Sequence, residues 1–573
     1  MAEVESSLVY RGFWSDHGRG PILGFTYTID QRAAPPLVAL LAIVVGVACA
    51  SLWDLILFVY HRWRSTTDEQ EWLYLQQQIL LRSLATPITF MMDCLKLQQA
   101  WRHVNPRATR RLLVMALASL VFAFSTLLAS TFSSYLFTTD NAQVLLKPSR
   151  CQLLDFRIYA LDRQQEVGVI GSSSDAKART YAQQCYGNGS LPSSCNFWVK
   201  PRFELKPQST KCPFNYPTCV ENGTEALILD TGYLDSFNDF GINAGESDRV
   251  QMRRIATCAP LNISQHIEVL DANGPVLGPL MAPIHGHSPF PARSAWVAHY
   301  GQTRFYPNNI TYVHFDVESN LTRTYTSNAV KAFASPRTFK LSSFTPMTGF
   351  PVSTSDLTLI FIATNRALST LPIEGHIYSA HRPIQFAGDP LNTTYFLPDR
   401  PVGAMGCTER YQYCIKDESG RRHCTAPGGA SFDDFETTLP SANKIQLATL
   451  ELLGQASVLT GLVNAASTEP SFLDSNTHFE GSVLEGLPSD QWKADVVRLE
   501  GYTRSYLQNT VLMRTTGYSI ETEVLRQPQT QSEERLCRSQ KVVKPAGFVN
   551  IAVVSVLLIL AFAGFAATLD FVS

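Results

Sequence analysis

The sequence predicts an α+β architecture: three transmembrane helices, with a large disulfide-rich mixed ectodomain inserted between the second and the third. Three observations predict it. Three stretches of the 573-residue chain are apolar over more than twenty residues each, and a helix rising about 1.5 Å per residue needs about 20 such residues to cross a hydrocarbon core of about 30 Å. The last two stretches are separated by about 400 residues that hold ten of the twelve cysteines and six Asn-x-Ser/Thr sequons. Within that segment, short strand-like runs give way near Pro440 to long helical ones. Three buried helices of a soluble protein are the structural alternative, but such helices usually keep a polar face, which these stretches lack.

In chain order, residues 1–35 are expected on the extracytosolic side. The first span, 36–60, follows Pro35 and ends at Tyr60 against His61 and Arg62. Residues 61–111 form a basic loop with Arg62, Arg64, Arg82, Lys96, Arg102, Arg107, Arg110 and Arg111, against Arg11, Arg19 and Arg32 before the first span. Short basic loops stay cytosolic, which puts the N-terminus and the large segment outside. Arg535, Arg538, Lys541 and Lys544, next to the third stretch, oppose this assignment; the first loop takes precedence because early helices usually set topology. The leader lacks the short basic start of a cleavable signal, so the first helix itself is expected to target the chain.

Within the loop, Trp72, Leu75, Ile79 and Arg82 recur at helical spacing. They predict a helix along the inner leaflet, with Trp72, Trp101 and the arginines at headgroup depth. The second span covers 112–137 and the third 547–569, leaving 570–573 as a cytosolic tail. Asp54 is an acidic residue well inside a span, and its nearness to Tyr60 and Arg62 favours its being reached by water or Arg62 over a functional role. Gly46 with Ala50, Ser119 with Ala123, and Ala563 with Ala567 predict close helix approach.

The ectodomain is expected over 138–546, strand-rich to 440 and helix-rich over 441–546. Its cysteines, Cys151, Cys185, Cys195, Cys212, Cys219, Cys258, Cys407, Cys414, Cys424 and Cys537, are disulfide candidates in an oxidising compartment. Spacing favours Cys212 with Cys219, and Cys407 with Cys414 or Cys424. The sequons Asn188, Asn222, Asn262, Asn309, Asn320 and Asn392 predict glycosylated, solvent-facing loops. EALILDTGYL, RTYTSNAVKAF and DLTLIFIAT read as strands. NKIQLATLELLGQASVLTGLV is apolar on nearly all sides, as a buried helix is. After a start signal at Pro488, Ser489 and Asp490, the residues Trp492, Val496, Leu499, Thr503, Tyr506, Thr510 and Met513 trace one largely apolar helical stripe. Residues 527–534 read as a polar connector.

A net charge of −2 with 17% charged residues offers no field for nucleic acid. Leu229, Asp230, Thr231 and Gly232 look like half of an aspartic-protease site. That chemistry needs a second carboxylate on an equivalent turn, and Asp474, Ser475, Asn476 lacks the closing glycine, so a strand ending in a turn is the structural reading. His285 and His287 could face a metal from a strand and Ser288 adjoins a histidine, but Phe290 stands where a nucleophile elbow needs glycine and no third ligand is identifiable. The Cys212–Cys219 spacing is too wide for a zinc knuckle. With no phosphate loop, dinucleotide fingerprint, kinase set or zincin helix in the sequence, no catalytic, cofactor-binding or metal residue is assigned.

Four stretches, YRGFWSDHGRGPILGFTYTID, LDTGYLDSFNDFGINA, LPSDQWKADVVRLEGYTRSYLQNTV and LCRSQKVV, resemble in the same order a family of uncharacterised multi-span membrane glycoproteins of filamentous ascomycete fungi. The resemblance extends over nearly the whole chain. It implies no catalytic residues, and, since some such proteins are similar to products encoded beside metabolite-biosynthesis genes, an accessory role there. The expectation is a non-enzymatic receptor or scaffold in the bilayer of the plasma membrane or a secretory endomembrane. It would act through its ectodomain on an unknown protein or small-molecule ligand, without nucleic acid or cofactor and with homo-oligomers left open. The alternatives are an ion-channel subunit, because two spans flanking a disulfide-rich ectodomain is the layout of some ligand-gated channels, and a lumenal accessory enzyme of fungal secondary metabolism.

Overall fold

The computed structural model describes residues 6–65, 72–83, 85–102, 106–132, 137–138, 142–148, 150–155, 164–187, 189–215, 217–220, 225–271, 294–303, 306, 308–316, 324–350, 353–386, 392–432, 434–467, 472–517, 524–544 and 547–572. The chain forms a helical unit, Val9–Leu145 with Val543–Ser573, and a mixed unit, Met1–Leu8 with Leu146–Val542. Among the described residues, four helices are long and apolar enough to cross a membrane: Gln31–Arg64, Thr109–Thr131, Lys444–Ala466 and Val553–Val572. The first, second and fourth belong to the helical unit and are mostly exposed along their apolar lengths; the third is mostly buried inside the mixed unit.

The helical unit opens with a hairpin of β1 (Gly12–Ser15) and β2 (Phe25–Asp30). There follow α1 (Ala34–Arg64), α2 (Trp72–Arg82), α3 (Pro87–Trp101), α4 (Pro106–Phe132) and a short β3 (Phe137–Thr138). At the far end of the chain, strand Phe548–Ala552 enters between β2 and β3, antiparallel to both, and runs into the C-terminal helix Val553–Val572. This corrects the expected third span: residues 548–552 are strand, not helix. An apolar run fits either state, and here the backbone groups of those residues pair with neighbouring strands. A polar chain runs through the sheet. Trp14 Nε1 donates to Thr28 Oγ1 at 2.8 Å, Thr28 Oγ1 to Asn550 Oδ1 at 2.7 Å, and Asn550 Nδ2 to the Gln143 carbonyl at 2.7 Å. Beneath it, Ala34 and Leu41 of α1 pack with Val549, Ile551, Val556 and Ile559.

Small residues do let the helices approach, though not all of those expected. Ser119, Ala563 and Ala566 are buried, and the buried positions of α1 include Val45, Ala48 and Ser51, flanking Gly46 and Ala50. Gly46 lies off the contact, with no atom within 4 Å of where its Cβ would be. Asp54 is half-buried. The predicted loop helix exists as α2, but it is followed by α3, and the two pack as a hairpin, α2 along α1 and α3 along α4.

The mixed unit is built on one antiparallel sheet. Its main strands are β4 (Lys206–Lys211), β5 (Glu225–Asp235), β6 (Val250–Pro260), β7 (Thr326–Ala332), β8 (Asp356–Ala363) and β9 (Val402–Lys416), in the order β7-β8-β9-β6-β5-β4, and a short seventh strand, Arg422–Cys424, pairs with the end of β9. The predicted strands are β5, β7 and β8. β8 is buried along its whole length because both faces are covered. Ile360 and Ile362 face the layer of α5 (Gln164–Cys185) and α7 (Gln491–Thr516). Leu357, Leu359 and Phe361 face the opposite layer, which includes Tyr300 and Phe344. Between α5 and α7 in the chain, α6 (Lys444–Leu459) starts at a capping box of Asn443 and Gln446 and buries Leu450, Leu453 and Ala456.

Helix α7 is buried on every side over Leu499–Thr515, not along one stripe. The expected connector 527–534 includes the start of another short helix, Gln531–Cys537, because Thr530 and Glu533 form a capping box. Five disulfides join Cys151–Cys537, Cys185–Cys195, Cys212–Cys219, Cys258–Cys407 and Cys414–Cys424. The Cys212–Cys219 expectation is met; that for Cys407 is corrected. β9 runs unbroken through Cys407 and Cys414, which at about 3.3 Å per residue lie about 23 Å apart. Cys407 instead faces its register partner Cys258 on β6. Cys49 and Cys94 form no disulfide.

Candidate functional site

Helix α7 begins after Asp490, and its first turns present Lys493, Ala494, Val497 and Arg498 on one face. That face, with the end of α5 and the starts of β4 and β5, lines a half-open cavity of about 440 Å³, within the roughly 300–1,000 Å³ range of small-molecule sites. Its lining divides by chemistry. Ala182, Leu227, Phe472, Ala494 and Val497 are apolar, while Asp474, Lys493 and Arg498 carry charge. The Arg498 guanidinium lies 5.0 Å from the Phe472 ring centre, and its Nη1 is 3.3 Å from Asp474 Oδ1. Gln491 Nε2 donates to Asp474 Oδ2 at 3.2 Å. Lys493 Nζ reaches Glu225 Oε2 at 2.7 Å, and Lys493 with Ser209 holds that carboxyl below the usual carboxylate range.

Two polar clusters behind this face are sealed from water. Asp495 accepts from the Tyr378 hydroxyl at 2.7 Å and from the Ser475 amide at 2.8 Å. Burial pushes its carboxyl up to about 6 despite those hydrogen bonds. Ser475, Tyr378 and Asp495 are all buried, so they brace α7 and offer no nucleophile to a substrate. Further along, Arg254 of β6 pairs with Glu409 of β9 at 2.6 Å and with Glu500 of α7. Lys331 of β7 lies 3.3 Å from Asp356 and 3.5 Å from Glu409. Burial alone would raise Glu409, but Lys331, Arg254 and the Thr358 hydroxyl hold it down at about 2. Burial pushes Asp356 and Glu500 up.

The residues singled out by sequence are dispersed. Asp230 does not end a strand; it sits at an irregularity inside β5, where it accepts from the Gly232 amide at 2.9 Å and from Arg253 Nε at 3.0 Å. Asp474 is occupied by Arg498 and Gln491 instead, so no shared carboxylate pair forms. Asn476 is tied to the backbone of Tyr325 in both directions. His285, His287 and Ser288 lie outside the described residues, as do Asn188, Asn222 and Asn320. Asn309 and Asn392 are exposed, with φ of 57° and 47°, and Asn262 is half-buried. Sequence reasoning missed the cavity; the one signal for it was the pairing of Lys493 and Arg498 with Ala494 and Val497 at helical spacing.

No family model matches the chain, and neither a curated protein nor a solved structure is similar enough to lend it a function.

Proposed function

We propose that the protein is an integral membrane glycoprotein that works by binding: a receptor or scaffold whose mixed unit, on the extracytosolic side, takes a small amphipathic ligand. In this reading Gln31–Arg64, Thr109–Thr131 and Val553–Val572 are the spans, and Lys444–Ala466 is a core helix. The observation that carries the proposal is the cavity of about 440 Å³ with its apolar and charged lining. An aromatic or aliphatic body fits against Phe472, Val497 and Ala494, and an anionic group fits Lys493 and Arg498, whose present partners Glu225 and Asp474 are only partly buried. The resemblance to ascomycete membrane glycoproteins suits a ligand drawn from secondary metabolism.

The test is native mass spectrometry of the detergent-purified full chain from its own cells. Wild type is expected to retain a bound small molecule that Ala494→Trp, which fills the cavity, loses while keeping its five disulfides. Equal occupancy of the two proteins, or none in either, contradicts the cavity as the binding site.

A further inference from the structure

The hairpin of α2 and α3 belongs to the stretch expected to be a cytosolic loop, yet its contacts climb α1 away from that side. The Tyr74 hydroxyl donates to the Arg64 carbonyl, Gln78 meets His61, and Arg82 Nε donates to His61 Nε2 at 3.0 Å. At the turn, the Ala85 carbonyl accepts from Trp53 Nε1 at 2.9 Å. Trp53 precedes Arg64 by eleven residues, about 16 Å along a helix axis. α3 then descends beside α4. Near the tip, the Trp53 ring lies 5.6 Å from Phe90 and 5.0 Å from Phe122. At the base, Leu97 and Trp101 pack with Leu73 and Leu112.

The base and the tip therefore differ in depth, and the side chains differ accordingly. Arg110 and Arg111 directly precede Leu112, and Arg62, Trp63, Arg64, Trp72, Trp101 and Arg102 flank the same end of the hairpin, the composition of a headgroup layer. Above it, Leu75 and Ile79 (69% exposed) on α2 and Ile88 (60%), Met92 and Leu95 on α3 turn apolar side chains outward, interleaved with exposed Gln76, Arg82, Thr86, Thr89 and Lys96. Met115 and Ala116 of α4 pack with Leu81, Phe90 and Cys94 of the hairpin, which puts the neighbouring exposed Leu117 at the hairpin's level. Of the charged groups here, Lys96 pairs with Asp93 at 3.0 Å, and Arg82 reaches back toward the base to hydrogen-bond His61.

We propose that α2 and α3 form a re-entrant hairpin whose tip is embedded in the acyl chains of the cytosolic leaflet. The proposal rests on the membrane reading above. Its occupant is lipid, because the exposed apolar stripe of the hairpin continues that of the spans; a cytosolic protein on the same face is the alternative that the test must separate.

The experiment uses the full chain, with Cys49→Ser and Cys94→Ala, in sealed vesicles whose cytosolic face is outward. Single cysteines replace Ile79 and Ile88 in the hairpin, Leu117 and Leu558 in the spans, and Arg102 at the base. Retention of the five disulfides checks that each variant folds. Ile79→Cys and Ile88→Cys are expected to react with a membrane-impermeant maleimide at least about tenfold more slowly than Arg102→Cys, as water is absent from the bilayer core. A bimane placed there by a permeant reagent is expected to be quenched by brominated phospholipid acyl chains, as at Leu117→Cys. Reaction as fast as at Arg102→Cys, with Leu117→Cys and Leu558→Cys still protected, overturns the hairpin and leaves the spans intact. Slow reaction without quenching overturns it in favour of a protein cover. Fast reaction at Leu117→Cys and Leu558→Cys as well overturns the membrane reading itself.

Discussion

A carboxyl group shut away from water, as Asp495 is beneath the cavity, makes its protonation part of folding. Its folded-state value of about 6 stands above the roughly 3.9 of an unfolded chain, so between those values the native state binds the proton more tightly. Stability from this group is fully present below about pH 4 and is lost as pH rises through 6. Asp495→Asn should flatten that slope and raise stability at pH 7 by on the order of 2 kcal/mol, keeping an acceptor for the Ser475 amide. Thermal unfolding of the purified protein across pH 4–7.5 measures it; an unchanged slope contradicts the assignment. Lys331 makes the opposite case. It is the cation between Asp356 and Glu409, so Lys331→Met strands buried negative charge and should cost about 3–5 kcal/mol. Adding Asp356→Asn should cost less than the sum of the two single changes, because the pair is coupled; strict additivity in denaturant unfolding would rule the coupling out.

Among the elements, α6 is where composition alone misleads. Together with the short helix Leu462–Ala466 that follows it, α6 is apolar enough to span a bilayer, yet it is packed so tightly that a Cβ on Gly454 would come 2.4 Å from the Ser431 carbonyl oxygen and 2.9 Å from Phe432 Cα. Gly454→Leu should therefore prevent folding of the mixed unit, read out as loss of the Cys258–Cys407 and Cys151–Cys537 disulfides on non-reducing gels. A lipid-facing helix would accept it. The all-round apolarity of this segment was legible as burial, and the alternation of β5, β7 and β8 as strands. The rest was hidden for a physical reason. Asp495, Glu500 and Arg504 look like the solvated faces of α7, but their partners Tyr378, Arg254 and the Phe203 carbonyl lie more than a hundred residues away, and nothing local marks such pairing. The strand Phe548–Ala552 was missed because an apolar run carries no periodicity that separates strand from helix.

For the molecule as a whole, the account depends on sidedness. One sheet in the helical unit gathers the N-terminal hairpin, the segment after α4 and the segment before the C-terminal helix. These three pieces of chain therefore share one end of the helix bundle, while the arginine-rich hairpin base lies beyond the other end of α1. Five disulfides and exposed sequons at Asn309 and Asn392 suit an oxidising, glycosylating compartment for the mixed unit. The most direct measurement is protease protection in sealed microsomes, combined with glycosidase shift and peptide mapping of Asn309 and Asn392. The account predicts that the region 146–542 survives protease added outside, carries sugar at both sites and is released only when the membrane is opened by detergent. Digestion of that region in intact vesicles, with both asparagines bare and its cysteines reduced, would contradict it.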